Sequence, residues 1–185
     1  MEWLLIGILV LFAIVVLMVI IIYNRLVALR QNCRQGSADI AAQLRQRHDL
    51  IPNLVATVKG YAAHEQATFD AVIEARNRAE APGAGPGAEA ALSGAMGRLF
   101  ALAEAYPELK ASANFQQLQN ELADTEDKLA AARRAFNSVS ADYNSARESF
   151  PAVMFAGAFG FQPCEYHEIA ASERGTVNVA PKVGF

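Results

Sequence analysis

The chain has 185 residues, a formal net charge of −3 at pH 7 and 53% hydrophobic residues. This acidic balance excludes the basic surface that a nucleic-acid-binding domain needs, so we expect no nucleic-acid partner. Roughly 160 residues follow an apolar N-terminal stretch, which is enough for one domain with its own core. Two cysteines, Cys33 and Cys164, are far apart in the sequence, which indicates buried thiols rather than a disulfide or a metal cluster.

The apolar stretch begins at Leu4, ends at Ile22 and contains no charged residue, and Trp3 and Tyr23 flank it. A helix with a rise of about 1.5 Å per residue would be roughly 28 Å long over this stretch, close to the thickness of a bilayer's hydrocarbon core. A cleavable signal peptide would need a basic start and a small-residue cleavage site, and this N-terminus has neither. We therefore expect a single-pass membrane anchor in residues 1–23.

The orientation of the anchor follows from the arginines around it. None precedes the span, and Arg25, Arg30, Arg34, Arg45 and Arg47 follow it. Because Lys and Arg near a span are retained on the cytoplasmic side, we expect an extracytoplasmic N-terminus and a cytoplasmic C-terminal domain.

Apolar residues three and four positions apart continue from the anchor to about residue 44, which predicts one helix across this junction. Gly36 on this face permits either a close approach of a neighbour or a bend. Pro52 is predicted to end the first helix within residues 48–53, where Asp49 would cap a second helix over about 50–81. Glycines and prolines at 82–87 predict a loop, and a third helix covers about 88–105.

A fourth helix has the clearest pattern of the chain, because its apolar positions recur at alternating spacings of three and four. This seam predicts nearly antiparallel helix packing. The seam positions are Phe115, Leu118, Leu122, Thr125, Leu129, Ala132, Phe136, Val139 and Tyr143. The charged residues Glu126, Asp127, Arg133 and Arg134 lie off the seam, and we expect them on a solvated face.

Residues 150–161 are apolar and too short to cross a membrane. Two interpretations remain open, a segment docked across the bundle and an interface with another subunit or the membrane surface. The candidate interface residues are Phe155, Phe159 and Phe161. Residues 162–185 have no helical period and are expected to form an extended tail.

No catalytic or metal-ligating pattern is recognisable. The histidines His48, His64 and His167 are scattered, and neither a metal-ligand spacing nor a nucleophile motif occurs. The adjacent His64 and Glu65 suit a buried polar pair or an interhelical hydrogen bond better than catalysis. We therefore predict no enzymatic activity, no cofactor and no metal.

Several runs, among them residues 43–55, 58–65 and 103–110, resemble the LemA family. The positions that carry the resemblance are Tyr23, Asn24, Arg47, Asp49, Leu50, Ile51, Pro52, Asn53, Leu54, His64, Glu65, Tyr106, Pro107, Glu126, Arg133, Tyr143, Asn144 and Pro151. The resemblance implies a bacterial inner-membrane protein with a bundle of long helices and no established enzymatic function. It also implies that residues 50–53 with His64 and Glu65 fix the bundle geometry. His48 stands where the family usually has an aromatic residue, and we expect it to be solvated.

The sequence thus predicts an all-α fold with an N-terminal transmembrane helix (residues 1–23), a bundle of long antiparallel helices (24–161) and an irregular tail (162–185). The predicted function is that of a non-enzymatic, membrane-anchored scaffold that homo-oligomerises and presents its bundle in the cytoplasm. The alternative, which the family context implies, is an accessory or regulatory subunit of a membrane protease or envelope quality-control system. The expected partners are the chain itself and the lipid bilayer, with a membrane protease in the alternative.

Overall fold

The computed structural model of the chain describes residues 1–167, which contain helices and no strand. The helices are α1 (Glu2–Lys59), α2 (Gln66–Glu80), α3 (Pro86–Ala103), α4 (Pro107–Lys110) and α5 (Ala113–Glu148), followed by a 3₁₀ turn (Ala152–Met154). The predicted all-α fold is confirmed. Residues 162–167 of the predicted tail form neither helix nor strand, and residues 168–185 lie outside the described part.

The predicted break at residues 48–53 is wrong, because α1 passes through Pro52 without interruption. Proline has no N–H to bond the carbonyl four residues earlier, which here belongs to His48. The Nε of Arg76 on α2 donates a 2.8 Å hydrogen bond to that carbonyl. A side chain of the next helix therefore replaces the missing backbone bond, and Asp49 lies inside α1 instead of capping a second helix.

The first helix ends at a turn over residues 60–65. The N–H groups of Tyr61 and Ala62 both bond the Val58 carbonyl, each at 3.0 Å, which closes the last turn of α1. His64 is exposed in this turn, and Glu65 is half-buried at the start of α2 without a side-chain capping bond. The predicted buried pair of His64 and Glu65 is therefore wrong, because these residues lie in a turn and not on a helical face.

The described residues form two compact units. The first contains Met1–Ile40 and Ala131–His167, and the second contains Ala41–Ala130. The core of the first unit includes Leu26, Tyr143 and Phe161, and the core of the second is built from buried residues of α1 to α5, such as Leu54 and Leu99. The predicted boundaries after residues 23 and 161 stay predictions.

Within the first unit, α1 and α5 pack antiparallel. The Sγ atom of Cys33 lies 3.5 Å from the carbonyl oxygen of Val139, and Gly36 faces Phe136. A Cβ atom at residue 36 would lie 3.2 Å from Cδ2 and 3.4 Å from Cα of Phe136. Gly36 thus permits a close approach of the two helices, the first of its two predicted roles.

The seam predicted for the fourth helix is the inner face of α5, because all nine of its positions are buried or half-buried. Asp127 and Arg134 are exposed, as expected for residues off the seam. Arg133, in contrast, is half-buried, and Glu126 contacts a buried arginine of α1. The prediction of a solvated face is wrong at Arg133, whereas Glu126 is exposed as expected and also pairs with the buried arginine.

Candidate functional site

The second unit contains a cluster of charged residues around Arg47, whose side chain is 5% exposed. Its Nη1 atom lies 3.2 Å from Oε2 of Glu89, and its Nη2 atom lies 2.7 Å from Oε1 of Glu126. Nη2 also donates a 2.8 Å hydrogen bond to the hydroxyl of Ser93. The guanidinium group therefore joins α1 to α3 and α5.

His48 extends this cluster toward α2. It is 5% exposed, so the expectation that it is solvated is wrong. Its Nε2 atom lies 3.0 Å from Oε1 of Glu89, and its Nδ1 atom lies 3.9 Å from Oε1 of Glu80. Arg76 binds the same Glu80 oxygen at 2.7 Å and donates to the His48 carbonyl. Two carboxylates therefore flank one buried imidazole.

We call this set the Arg47 cluster, and its members come from four helices. They are Arg47 and His48 of α1, Arg76 and Glu80 of α2, Glu89 and Ser93 of α3, and Glu126 of α5. Removing charges from water is costly unless they are paired and hydrogen-bonded, and these contacts pair both terminal nitrogens of the Arg47 guanidinium, while its buried Nε has no partner among the described residues. Arg47 and His48 are buried and are paired with side chains of neighbouring helices. This geometry suits a structural connection between helices.

Sequence reasoning placed Arg47 and Glu126 in the motif but missed Arg76, Glu80, Glu89 and Ser93. The sequence contained one indication that Arg47 is buried. The buried stripe of α1 runs through Ile40, Ile51, Leu54 and Val58. Extending a helical period across residues 44–51 puts Arg47 on that buried face. The expected helix break concealed this continuity.

The remaining motif positions differ in exposure. Buried or half-buried are Leu50, Ile51, Leu54, Tyr106, Arg133 and Pro151, and exposed are Asn24, Asp49, Pro52, Asn53 and Pro107. Tyr106 and Pro107 mark the start of α4, where Tyr106 is the N-cap residue and Pro107 the first helical residue. A role of residues 50–53 with His64 and Glu65 in fixing the bundle geometry stays a prediction.

In the first unit, Tyr143 and Asn144 fasten the segment after the 3₁₀ turn to α5. The Tyr143 hydroxyl donates a 2.8 Å hydrogen bond to the Gln162 carbonyl, and burial raises the pKa of this tyrosine, so the hydroxyl remains a donor. The Asn144 side chain donates to the Cys164 carbonyl at 2.8 Å and accepts from its N–H at 2.9 Å. One amide group thus satisfies both backbone groups of residue 164.

Asn137 makes the same pair of hydrogen bonds with His167. Its side-chain amide donates to the His167 carbonyl at 3.0 Å and accepts from the His167 N–H at 2.8 Å. Asn137 and Asn144 are seven residues apart, about 10.5 Å along a helix. Three extended residues also span about 10 Å, so the distance between residues 164 and 167 matches the distance between the two asparagine side chains. Residues 161–167 therefore run antiparallel to α5 as a strap.

We expect the Asn144→Ala variant to loosen this strap. It removes two hydrogen bonds, each with a net value of about 1 kcal/mol, so amide exchange in residues 162–167 should accelerate about tenfold or more. Hydrogen–deuterium exchange with mass spectrometry measures this rate. The matched control is Asn120→Ala, an exposed position of α5. Equal exchange in both variants would contradict the assignment of Asn144 as a clamp.

The structure brings the two thiols of the chain to one side of α5. Cys33 is buried, and the Sγ atom of Cys164 lies 3.2 Å from the hydroxyl of Ser140. Both cysteines are free thiols. Burial, together with the neighbouring Cys164 thiol, raises the pKa of Cys33 to about 11, so this thiol stays protonated at neutral pH. Such a thiol is a packing group and a poor nucleophile.

The candidate interface residues divide into one core residue and two surface residues. Phe161 is 1% exposed and lies under the guanidinium carbon of Arg30, 4.9 Å from the ring centroid, so its prediction as an interface residue is wrong. Phe155 is half-buried, and Phe159 is 50% exposed. The Tyr23 ring contacts both Phe159 and Phe161 at centroid distances of 5.4 Å. We call Tyr23, Val153, Met154, Phe155 and Phe159 the aromatic patch.

The N-terminal part of α1 has the length and the composition of a membrane span. Its most apolar 18-residue window has a mean hydropathy of 3.6, and none of it is buried within the chain. Among residues 1–167, no group of three or more His, Cys, Asp and Glu side chains is arranged to hold a metal ion. Together with the helical fold, the apolar helix defines a membrane-associated helical protein.

Comparison with known proteins gives the family. Residues 36–185 match the LemA family. The chain belongs to this family. It is 26% identical over 191 residues to the magnetosome protein MamQ of Magnetospirillum gryphiswaldense, an alignment that covers 87% of this chain and 70% of the relative. The magnetosome proteins MamQ 1 and MamQ 2 of Paramagnetospirillum magneticum are each 23% identical over 175 residues, with 79% of this chain and 64% of the relative covered. The chain thus spans less than two thirds of these last two relatives.

Proposed function

We propose that the chain is a non-enzymatic scaffold held in the bacterial cytoplasmic membrane by a single span, residues 4–22 of α1. In this proposal its N-terminus is outside, its helical body is in the cytoplasm, and copies of the chain self-associate through the aromatic patch. The observation that carries the proposal is the position of this exposed patch directly after the apolar part of α1.

The exposure of the patch supports self-association. Val153 is 53%, Met154 74% and Phe159 50% exposed. Large contiguous apolar surfaces on soluble domains usually mark an interaction site. Tyr23 contacts Phe159 and is the first residue after the predicted span, so the patch lies beside the membrane helix. Parallel anchors in one bilayer would bring the patches of neighbouring chains to the same level.

The arginines support the orientation. Arg25, Arg30 and Arg34 lie within about fifteen residues of the span, the distance over which basic residues determine topology. All three belong to α1 after the span. Arg45 and Arg47 are farther away, and Arg47 has a different role in its buried cluster.

The burial of Arg47 and His48 supports a role without catalysis. A catalytic acid or base must lie within hydrogen-bond reach of its substrate. The only histidine paired with carboxylates among residues 1–167 is His48, which is 5% exposed. Its neighbours are residues of other helices, which is the arrangement of a connection within a bundle.

Mass photometry of the full-length protein in mild detergent tests the proposal. We expect a homomeric particle larger than one chain. Phe159→Asp should reduce its mass, because a charge on the patch opposes burial between copies. The matched control is Tyr61→Asp, which changes an aromatic residue with 44% exposure in the second unit. Circular dichroism of each variant verifies that the helices persist.

A monomeric wild-type protein would contradict the assembly, and an unchanged particle in Phe159→Asp would exclude the patch as the interface. A stoichiometric second protein in place of additional copies would favour the accessory subunit of a membrane protease or quality-control system instead.

A further inference from the structure

The first unit contains a groove that the proposed assembly does not use. It is a cavity of about 580 Å³ between α1, α5 and residues 149–152. Its lining includes Ile22, Arg25 and Leu29 of α1 and Asp142 and Ala146 of α5. Small-molecule sites commonly have volumes of about 300 to 1,000 Å³. We call this cavity the membrane-proximal groove.

The groove begins where the predicted membrane span ends. Ile22 lines it and is also the last residue of the apolar stretch. Arg25 lies three residues further along α1, about 4.5 Å in the direction of the helix axis. A side chain at this height meets the phosphate layer of the leaflet, where arginine commonly binds lipid headgroups.

The groove has one positive and one negative residue in its lining. Arg25 and Asp142 are both exposed, and neither forms an ion pair with another described residue. Apolar side chains accompany them, since Leu26 is buried in the lining and Phe150 is 80% exposed. A cation, an anion and an apolar wall are thus available to one ligand.

From this placement we propose that the membrane-proximal groove binds one phospholipid whose headgroup carries both a phosphate and a primary ammonium. Arg25 binds the phosphate, Asp142 accepts hydrogen bonds from the ammonium, and Ile22 and Phe150 contact the acyl chains. Charge-assisted hydrogen bonds of this kind are the strong ones in proteins. The occupant comes from the bilayer, because Ile22, the last residue of the apolar stretch, lines the groove.

The groove and the aromatic patch lie on opposite flanks of α1. Relative to buried Leu26, the helical angle of 100° per residue puts Ile22, Arg25 and Leu29 on one side. The same angle puts Tyr23 and Arg30, which contact the phenylalanines, on the other side. Lipid binding and self-association therefore use different residues, so a variant can lose one property and keep the other.

Native mass spectrometry of the full-length protein in detergent tests the proposal, with phosphatidylethanolamine, phosphatidylcholine and phosphatidylglycerol added in equal amounts. We expect one phosphatidylethanolamine per chain, preferred about tenfold over phosphatidylcholine, whose quaternary ammonium has no hydrogen to donate. Asp142→Asn should reduce this preference to within about twofold, and Arg25→Gln should lower the occupancy of phosphatidylethanolamine about tenfold.

Matched controls separate the groove from general charge effects. Asp127→Asn changes an exposed aspartate of α5 outside the groove, and Arg34→Gln changes an exposed arginine of α1 outside it. Both should bind lipid like the wild type. Equal binding of the three lipids to the wild type, or an unchanged preference in Asp142→Asn, would overturn the proposal. Binding of soluble phosphoethanolamine as tight as that of the lipid would also overturn it, because the site would then belong to a soluble ligand. The same spectra report the number of subunits, so this result is distinguishable from a failure of the proposed assembly.

Discussion

Replacing Arg47 with methionine is expected to lower the free energy of unfolding by about 3 to 5 kcal/mol, the usual cost of removing one partner from a buried charge pair. The side chain of Glu89 is 15% exposed and would lose its guanidinium partner. Ser93 would lose its hydrogen-bond donor as well. Guanidinium unfolding of the full-length protein in nonionic detergent, followed by circular dichroism, measures this change.

Two further variants define the mechanism of this loss. Arg34→Met makes the same chemical change at an exposed position of α1 and should cost under about 0.5 kcal/mol. The double variant Arg47→Met, Glu89→Met should recover part of the stability, because it also removes the poorly exposed carboxylate that the single variant leaves without its guanidinium. The recovery is partial because Glu126 and His48 each still lose one partner. Equal losses in Arg47→Met and Arg34→Met would contradict a buried ion-pair connection.

The second large effect is expected at the inner face of α5. Leu129 is 1% and Leu122 4% exposed, and truncating either to alanine should cost about 2 to 5 kcal/mol through lost burial and a residual cavity. The same unfolding measurement tests this expectation. Asp127→Ala is the control, because Asp127 is exposed between the two leucines and should cost under about 0.5 kcal/mol.

Glu126, the off-seam residue expected to be solvated, is not a suitable control. Its carboxylate lies 2.7 Å from the buried Arg47 guanidinium. If Asp127→Ala were as destabilising as Leu129→Ala, the assignment of the inner face would be wrong.

The long helices were predictable from the sequence because they depend on local periodicity. The nine-position seam of α5 and the approach of α1 at Gly36 both follow from residues three and four apart. The prediction of a break at Pro52 was wrong because the hydrogen bond that compensates for the missing proline N–H comes from a residue distant in the sequence. The replacement donor, Arg76, is 28 residues beyond the carbonyl of His48 that it bonds.

The Arg47 cluster was not predictable for a related reason. Single charged residues are usually solvated, so Glu80 and Glu89 gave no signal of their own. Their role arises only when three other helices surround Arg47 and His48. The strap is another case, since a bond from an asparagine side chain to a distant backbone has no sequence period. Asn137 and Asn144 have the right spacing, but their partners at 164 and 167 are recognisable only in the structure.

The central claim is that one N-terminal helix anchors the chain and leaves its helical body in the cytoplasm. Reporter fusions after Phe185 test it most directly, with one reporter active only in the cytoplasm and another active only outside it. We predict activity of the cytoplasmic reporter and silence of the other, because Arg25, Arg30 and Arg34 follow the span closely. Activity of the external reporter with a silent cytoplasmic reporter would contradict this account.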